Sequence, residues 1–338
     1  MKSLSLFPRL VLGAALTASA LAESHYEALT EISIPGEGGW DYLSVDSATH
    51  RLFVTHATKV VVIDTQTDKI VGEISDTPGV HGFAIAPDLG RGFSSNGREN
   101  KVNVVDLATL KTLSKIETGA NPDAILYESA NQEVYTFNGS GQSATVIAAK
   151  TGKVVATIPL GAKPEFAQED AAVGHIFVNL EDKSQVVVID AKTHAVLSTW
   201  PIAPGEEPTG MDIDLVHHRL FLGCGNAQIA VLNDESGEVV ASIPAGKGID
   251  AAVFDAGTQL VFASNGADGT VTIAHEDTPD KFTVVQTLKT ERSARTMIID
   301  LATHKMYLVS AKFGPAVPGS RPPMVPGSMK VLVYGLKI

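Results

Sequence analysis

A two-residue motif returns seven times along this chain at nearly constant spacing, and few folds accommodate such a period. An aromatic residue follows an apolar one (Gly in one case) at Leu52-Phe53, Gly92-Phe93, Val134-Tyr135, Ile176-Phe177, Leu220-Phe221, Val261-Phe262 and Met306-Tyr307. A run rich in β-branched residues succeeds each pair, and the runs end at residues 64, 106, 148, 190, 233, 274 and 335. The steps between those ends are 42, 42, 42, 43, 41 and 61 residues. A period near 40 holding several short strands is the mark of propeller blades, each too small to bury its own apolar faces alone. The spacing predicts an all-β protein, a seven-bladed β-propeller of four-stranded antiparallel blades.

In the first unit the strands are expected at residues 41–45 (innermost), 51–55, 59–63 and 70–74 (outermost), separated by turn residues such as Asp46-Ser47 and Gln66-Thr67-Asp68. The seventh unit ends near its third strand, at residues 330–334, and lacks an outer one. Residues 26–34 form a spare strand ahead of the first blade. Pairing this N-terminal strand with the last blade closes the ring and removes two open edges. No linker interrupts the repeat, so residues 23–338 are expected to form a single domain. The one long step carries about nineteen extra residues between Lys312 and Met329, with prolines at 315, 318, 322, 323 and 326. That composition predicts a stiff, extended loop, either a lid or a plug.

The N-terminus reads as a secretion signal over residues 1–22: basic Lys2 and Arg9, an apolar stretch from Leu10 to Leu21, and Ala20-Leu21-Ala22 for cleavage. The expected location is the periplasm or the exterior. The formal charge is −12, and the signal contributes two of the basic residues and no acid. A strongly acidic chain argues against nucleic acid, which demands a basic surface. No segment has the length of uninterrupted apolar sequence needed for a transmembrane helix. The single cysteine, Cys224, excludes an internal disulfide and any zinc site built on several thiolates. At the end of an apolar strand it is expected to be a buried small hydrophobe. A monomer is expected.

The units resemble the YVTN-repeat (YncE-like) group of seven-bladed propellers. The resemblance rests on an aromatic strand ending in a polar turn, Val134-Tyr135-Thr136-Phe137-Asn138-Gly139, followed by a β-branched strand, a Thr151-Gly152 turn and a second Val-rich strand. Ser95-Asn96-Gly97 and Ser264-Asn265-Gly266 repeat the polar turn, whereas His56, Leu180, Cys224 and Ser310 replace its Asn in the other units. The resemblance implies the propeller fold and carries no catalytic residue.

Function is sought where a propeller gathers distant residues: at the turns that open on one end of the axis. The positions entering the innermost strands read Asp41, His81, Asp123, Glu165, Thr209, Asp250 and Arg295, six of them ionisable. A second ring is expected from the turns after the second strands: His56, Asn96, Asn138, Leu180 with Glu181, Cys224, Asn265, and Ser310 with Lys312. Trp40 and the proline-rich loop with Arg321 should share that face. Carboxylates brought together repel, so a cation, a shared proton or an arginine must relieve them.

Three uses of this face stay open. It is a solvated channel mouth whose charges pair among themselves. It is a binding site in which Trp40, Asp41, His56, Asp123, Asp250, Arg295, Lys312 and Arg321 hold a small acidic molecule or an envelope partner. Or it is a metal-assisted lyase or hydrolase site, with one divalent ion on His81, Asp123 and Glu165, His81 as ligand or base, and Arg295 on a substrate carboxylate. His50, His175, His217, His218 and His304 fall by the turns on the opposite face. His217-His218 is expected to be a surface turn and not a ligand pair, because neighbours in a strand point to opposite sides.

Overall fold

The computed structural model describes residues 25–315 and 322–337; the expected signal, residues 1–22, and Arg321 lie outside them. The described residues form seven four-stranded antiparallel sheets in which sequence neighbours pair. The first comprises Leu43–Asp46, Arg51–His56, Lys59–Asp64 and Lys69–Ile74, within a residue or two of expectation. The seventh takes Met297–Asp300, Lys305–Ser310 and Lys330–Lys337 from the end of the chain and His25–Ser33 from its beginning. Only two single 3-10 turns, Pro87–Leu89 and Glu181–Lys183, interrupt the β structure of the described residues, and none of their helices could cross a membrane.

The repeated aromatic is the wedge between blades. Phe53, Phe93, Tyr135, Phe177, Phe221, Phe262 and Tyr307 are all buried, and so are the apolar neighbours on the other face of each strand. Phe53 stacks on Phe83 of the second blade with centroids 4.7 Å apart, and Phe221 meets Phe254 of the sixth at 5.0 Å. Tyr135 uses its hydroxyl as well, donating to the Ala191 carbonyl of the fourth blade at 3.1 Å. Each such ring contributes about 2 kcal/mol of apolar burial. Cys224 is buried, as its strand context predicts.

The exceptional Gly92 is explained by the same contacts. A Cβ there would stand 2.1 Å from Cζ of Phe83, the ring that stacks on Phe53. Gly92→Ala is therefore expected to lower stability by about 1–3 kcal/mol through overpacking, read as a fall in urea midpoint with unchanged slope. An unaltered midpoint would show that Phe83 can move aside freely.

The innermost strands carry a feature that the sequence pattern does not announce. In blades two to six the first residue pairs in register, and then the pairing slips between Val80 and Phe83, Pro122 and Ile125, Pro164 and Ala167, Pro208 and Met211, and Ile249 and Ala252. A bulge of this kind re-aims a side chain that would otherwise lie on the sheet face. His81, Asp123, Glu165, Thr209 and Asp250 each occupy the slipped segment.

Candidate functional site

The bulges are held by hydroxyl and amide groups borrowed from neighbouring strands. Ser95 accepts from the Gly82 N–H at 2.9 Å and donates to the Asp123 carbonyl of the next blade. Ser264 does the same for the Ala251 N–H, at 3.2 Å, and for the Arg295 carbonyl. Asn179 donates to the Thr209 carbonyl at 2.9 Å, Thr209 to the Ile249 carbonyl at 3.0 Å, and Thr296 to the Asp41 carbonyl at 2.8 Å. Backbone groups unpaired by the bulge are thereby satisfied, and adjacent blades are locked in the relation that the site needs.

The charged side chains form a chain of contacts around the axis. Arg295 pairs with Asp250, lies 3.4 Å from Asp41 and donates to the Trp40 carbonyl at 2.9 Å. Asp41 also sits 2.7 Å from Nδ1 of His81, and the same nitrogen lies 3.4 Å from Asp123. Glu165 stands slightly apart: Tyr42 donates to it at 3.0 Å, and Lys163 lies 2.5 Å away while also pairing with Glu181. Tyr42 and Phe166 meet edge to face at 5.2 Å, and beneath them the axial space shrinks to about 40 Å³ lined by Gln168, Met211 and Asp212 among others. The axis is consequently a cup with a floor. An open cleft of about 730 Å³ adjoins it over the first two blades, sharing Asp41, His81 and Arg295 with the charged cluster and lined also by Glu37, Trp40, Arg98 and Asn121. Gly97 lets this wall close up, since a Cβ would meet Asn121 at 2.6 Å and Nε2 of His81 at 2.8 Å.

Burial in a cluster of like charges sets the electrostatics. Asp123 is pushed up to about 7 by burial and by Asp41, with His81 pulling the other way. Burial also raises Glu165, opposed by Lys163. For His81, burial favours the neutral ring, but the hydrogen bond to Asp41 and the charges of Asp123, Asp41 and Glu165 outweigh it, so the imidazolium is favoured.

Six of the seven expected inner-ring residues therefore converge, with Thr209 serving as a tether. Of the second ring, Glu181 joins the charged cluster through Lys163, and the strand-end residues do not reach the axis. His56, Asn96, Asn138, Leu180, Cys224, Asn265 and Ser310 are all buried inside the blades. Side chains at the end of a second strand stand perpendicular to the sheet and enter the space between blades. Asn138 donates to Thr145 at 3.0 Å and Asn265 to Thr272 at 2.9 Å, so the polar turn is a structural clip. His56 is covered by the Glu37–Gly38 backbone, and its burial favours the neutral ring.

Trp40 is likewise a packing residue: only 7% exposed, it lies in a cluster with Leu43, Val54 and Met329, with Phe313 at 6.2 Å. Lys312 is exposed on the proline-rich hairpin, where its backbone pairs with Ser328 and Val325. That hairpin does share the face, because Phe313, Pro322 and Met324 line a cleft with Trp40 and Arg295. Lys163 and Tyr42 were missed by sequence reasoning, although each lies within two residues of an inner-ring acid.

No protein-family model and no curated protein matches the sequence. Among solved structures, the chain is similar to Kuenenia stuttgartiensis hydrazine synthase, with a TM-score of 0.72 over 81% of this chain and 94% of that one at 14% identity. At that identity the likeness is one of fold alone.

Proposed function

We propose that this protein is a ligand-binding propeller whose axial cup takes a small cation, or the cationic group of a larger molecule. The carrying observation is Asp123: its carboxylate is buried, its Oδ1 accepts no hydrogen bond, and its ion-pair partner is His81, at 3.4 Å, with the Asp41 carboxylate close by. The wider balance supports the same reading. Six acids (Glu37, Asp41, Asp123, Glu165, Glu181, Asp250) face four basic groups (His81, Arg98, Lys163, Arg295). This reverses the acidic ligand expected from Arg295, whose guanidinium is already engaged by Asp250 and Asp41. The repeat's likeness to YVTN-type propellers and the secretion-like N-terminus support an exported member of that group; that it acts as a monomer is part of the proposal.

The test is calorimetric titration with organic amines and with Mn2+ or Zn2+, alongside Asp123→Asn. Losing one of the buried charges should weaken binding by about 2–5 kcal/mol, more than 30-fold. Affinity equal in wild type and variant, or no cation bound by the wild type, would remove the proposal.

A metal ion is the second reading, favoured because ligand atoms of Asp41, His81 and Asp123 all lie within 4.8 Å of one another. A nitrogen and carboxylate oxygens suit a borderline divalent ion, which would supply Lewis acidity to a bound molecule. Asp41 takes the place expected for Glu165, whose oxygens are occupied by Lys163 and Tyr42. A lyase or hydrolase built here would need a cation other than Arg295 for its substrate carboxylate.

A further inference from the structure

The opposite end of the propeller holds two buried carboxylates that the fold does not require. In six blades the residue after the third strand (in blade six Glu276, inside the longer strand Thr270–Thr278) donates its N–H to a left-handed residue in the turn between the first two strands. The pairs are Thr65 to His50, Leu107 to Gly90, Ala149 to Gln132, Ala191 to Gly174, Asp234 to His218 and Glu276 to Gln259. This places equivalent side chains beneath each sheet. Four blades put a small or apolar residue there, whereas blades five and six put Asp234 and Glu276, 3% and 2% exposed. No well-aligned hydrogen bond reaches either oxygen of either carboxylate, whose nearest nitrogens are the imidazoles described next. Holding two carboxylates away from water with no more than a neighbouring imidazole each is costly, and the Ala149 and Ala191 blades show that the ring can form without them.

Each carboxylate faces an imidazole and a second acid. Nδ1 of His217 lies 2.6 Å from Asp214 and 3.4 Å from Glu276. Nδ1 of His218 lies 3.2 Å from Asp234, with Asp170 completing the group. Within each trio the ligand atoms lie within 4.8 Å of one another. His218 adopts a left-handed φ of 58°, so the dipeptide is a turn whose rings reach different blades. Arg219 clamps it, donating to the His217 and His218 carbonyls at 2.9 and 2.8 Å and pairing with Asp280 at 2.6 Å. Burial and the charge of Asp214 push Glu276 up to about 7, and burial raises Asp234 against the pull of His218.

We propose that this face carries two neighbouring divalent transition-metal sites, Asp214–His217–Glu276 and Asp170–His218–Asp234. One nitrogen and two carboxylates suit zinc or manganese better than an all-oxygen ion such as calcium. The imidazoles are 33% and 44% exposed while the acids are buried, so an ion can enter from solvent and keep a position for water. The sites stand apart from the axial cup and do not depend on its reading.

The experiment is zinc titration of chelator-stripped full-length protein by calorimetry and elemental analysis, with Glu276→Ala and Asp234→Ala. Both variants install the side chain that blades three and four carry at this position, so the ring should fold. The wild type should bind zinc at two equivalents insensitive to Asp123→Asn, and each alanine variant should lose one of them or bind it at least 30-fold more weakly. Cobalt substitution adds a second readout, a visible absorption that His217→Ala should diminish. Zinc binding indifferent to both alanine variants would overturn the proposal. So would a wild type that holds no zinc, together with alanine variants that melt higher than it does.

Discussion

A chain lacking residues 25–34 is expected not to form a soluble, cooperative ring. The His25–Ser33 strand supplies the outer edge of the seventh blade and pairs with Lys330–Lys337 at eight positions. It also buries Tyr26, Ile32 and Ile34. Tyr26 ties the seventh blade to the sixth: its ring meets Phe262 at 5.2 Å, and its backbone N–H and C=O both bond the Gln286 amide at 2.9 Å. Its hydroxyl donates to the His304 carbonyl at 3.0 Å. Three buried side chains at about 2 kcal/mol each and a ladder of hydrogen bonds at about 1 kcal/mol each match the whole stability of a typical domain, about 5–15 kcal/mol. The truncation also bares the Lys330–Lys337 edge, which would pair with other chains. Size-exclusion profile and thermal melting by circular dichroism check this; Tyr26→Ala alone should cost about 3–5 kcal/mol. A truncated protein that stays monomeric and melts within a few degrees of the intact one would show the ring to be closed by other means.

Stability is expected to fall as pH rises from about 5 to 8. Burial, with neighbouring charges at all but Asp212, pushes Asp123, Glu169, Asp212 and Glu276 up to about 7. Unfolded carboxyls titrate near pH 4, so between about 4 and 7 the folded state keeps protons that the unfolded state has released. Each unit of pH in that window then removes about 1.4 kcal/mol for every proton so retained. His81 acts in the same direction: its raised value gives stability that is complete below about 6.5, its unfolded value, and lost as pH rises through the folded one. Asp64, Asp106, Asp190 and Asp277, lowered chiefly by hydrogen bonds, lose their contribution only in stronger acid. Four protons fully retained over two pH units would sum to about 11 kcal/mol. Solvent screening at the partly exposed Glu169 and proton sharing among the neighbouring acids of the Asp123 and Glu276 clusters reduce this to a decline on the order of 3–6 kcal/mol, measurable by urea unfolding at four pH values. Glu169→Gln should recover about 1 kcal/mol at pH 8 and nothing at pH 5. A flat or rising profile would mean that these carboxyls ionise freely in the folded protein.

Much of the inner ring was legible because a repeat converts spacing into geometry. Once seven blades are counted, Asp41, His81, Asp123, Asp250 and Arg295 must approach one axis, however far apart they stand in sequence. The second ring failed on a direction that spacing does not contain. Asn138 and His56 sit at the correct height, but their side chains leave the strand sideways into the blade interior. His217-His218 does form the expected surface turn and its rings do part, but through the left-handed backbone of His218 and not through strand alternation. The acids facing them come from three different blades. Asp234 and Glu276 do break the pattern of their repeat position. That signal becomes readable only when the position is known to be buried.

The amino-acid order by itself determined the number of blades, their strands, the closure of the ring by its first strand and the identity of the residues at the axis. Those properties follow from periodic apolar burial, which is local and additive along the chain. Only the tertiary structure decided which charges satisfy one another. Contacts such as Arg295 with Asp250, Lys163 with Glu165, and His217 with Glu276 depend on ångström-scale bulges and turns, and electrostatic energy inside a protein changes steeply over such distances.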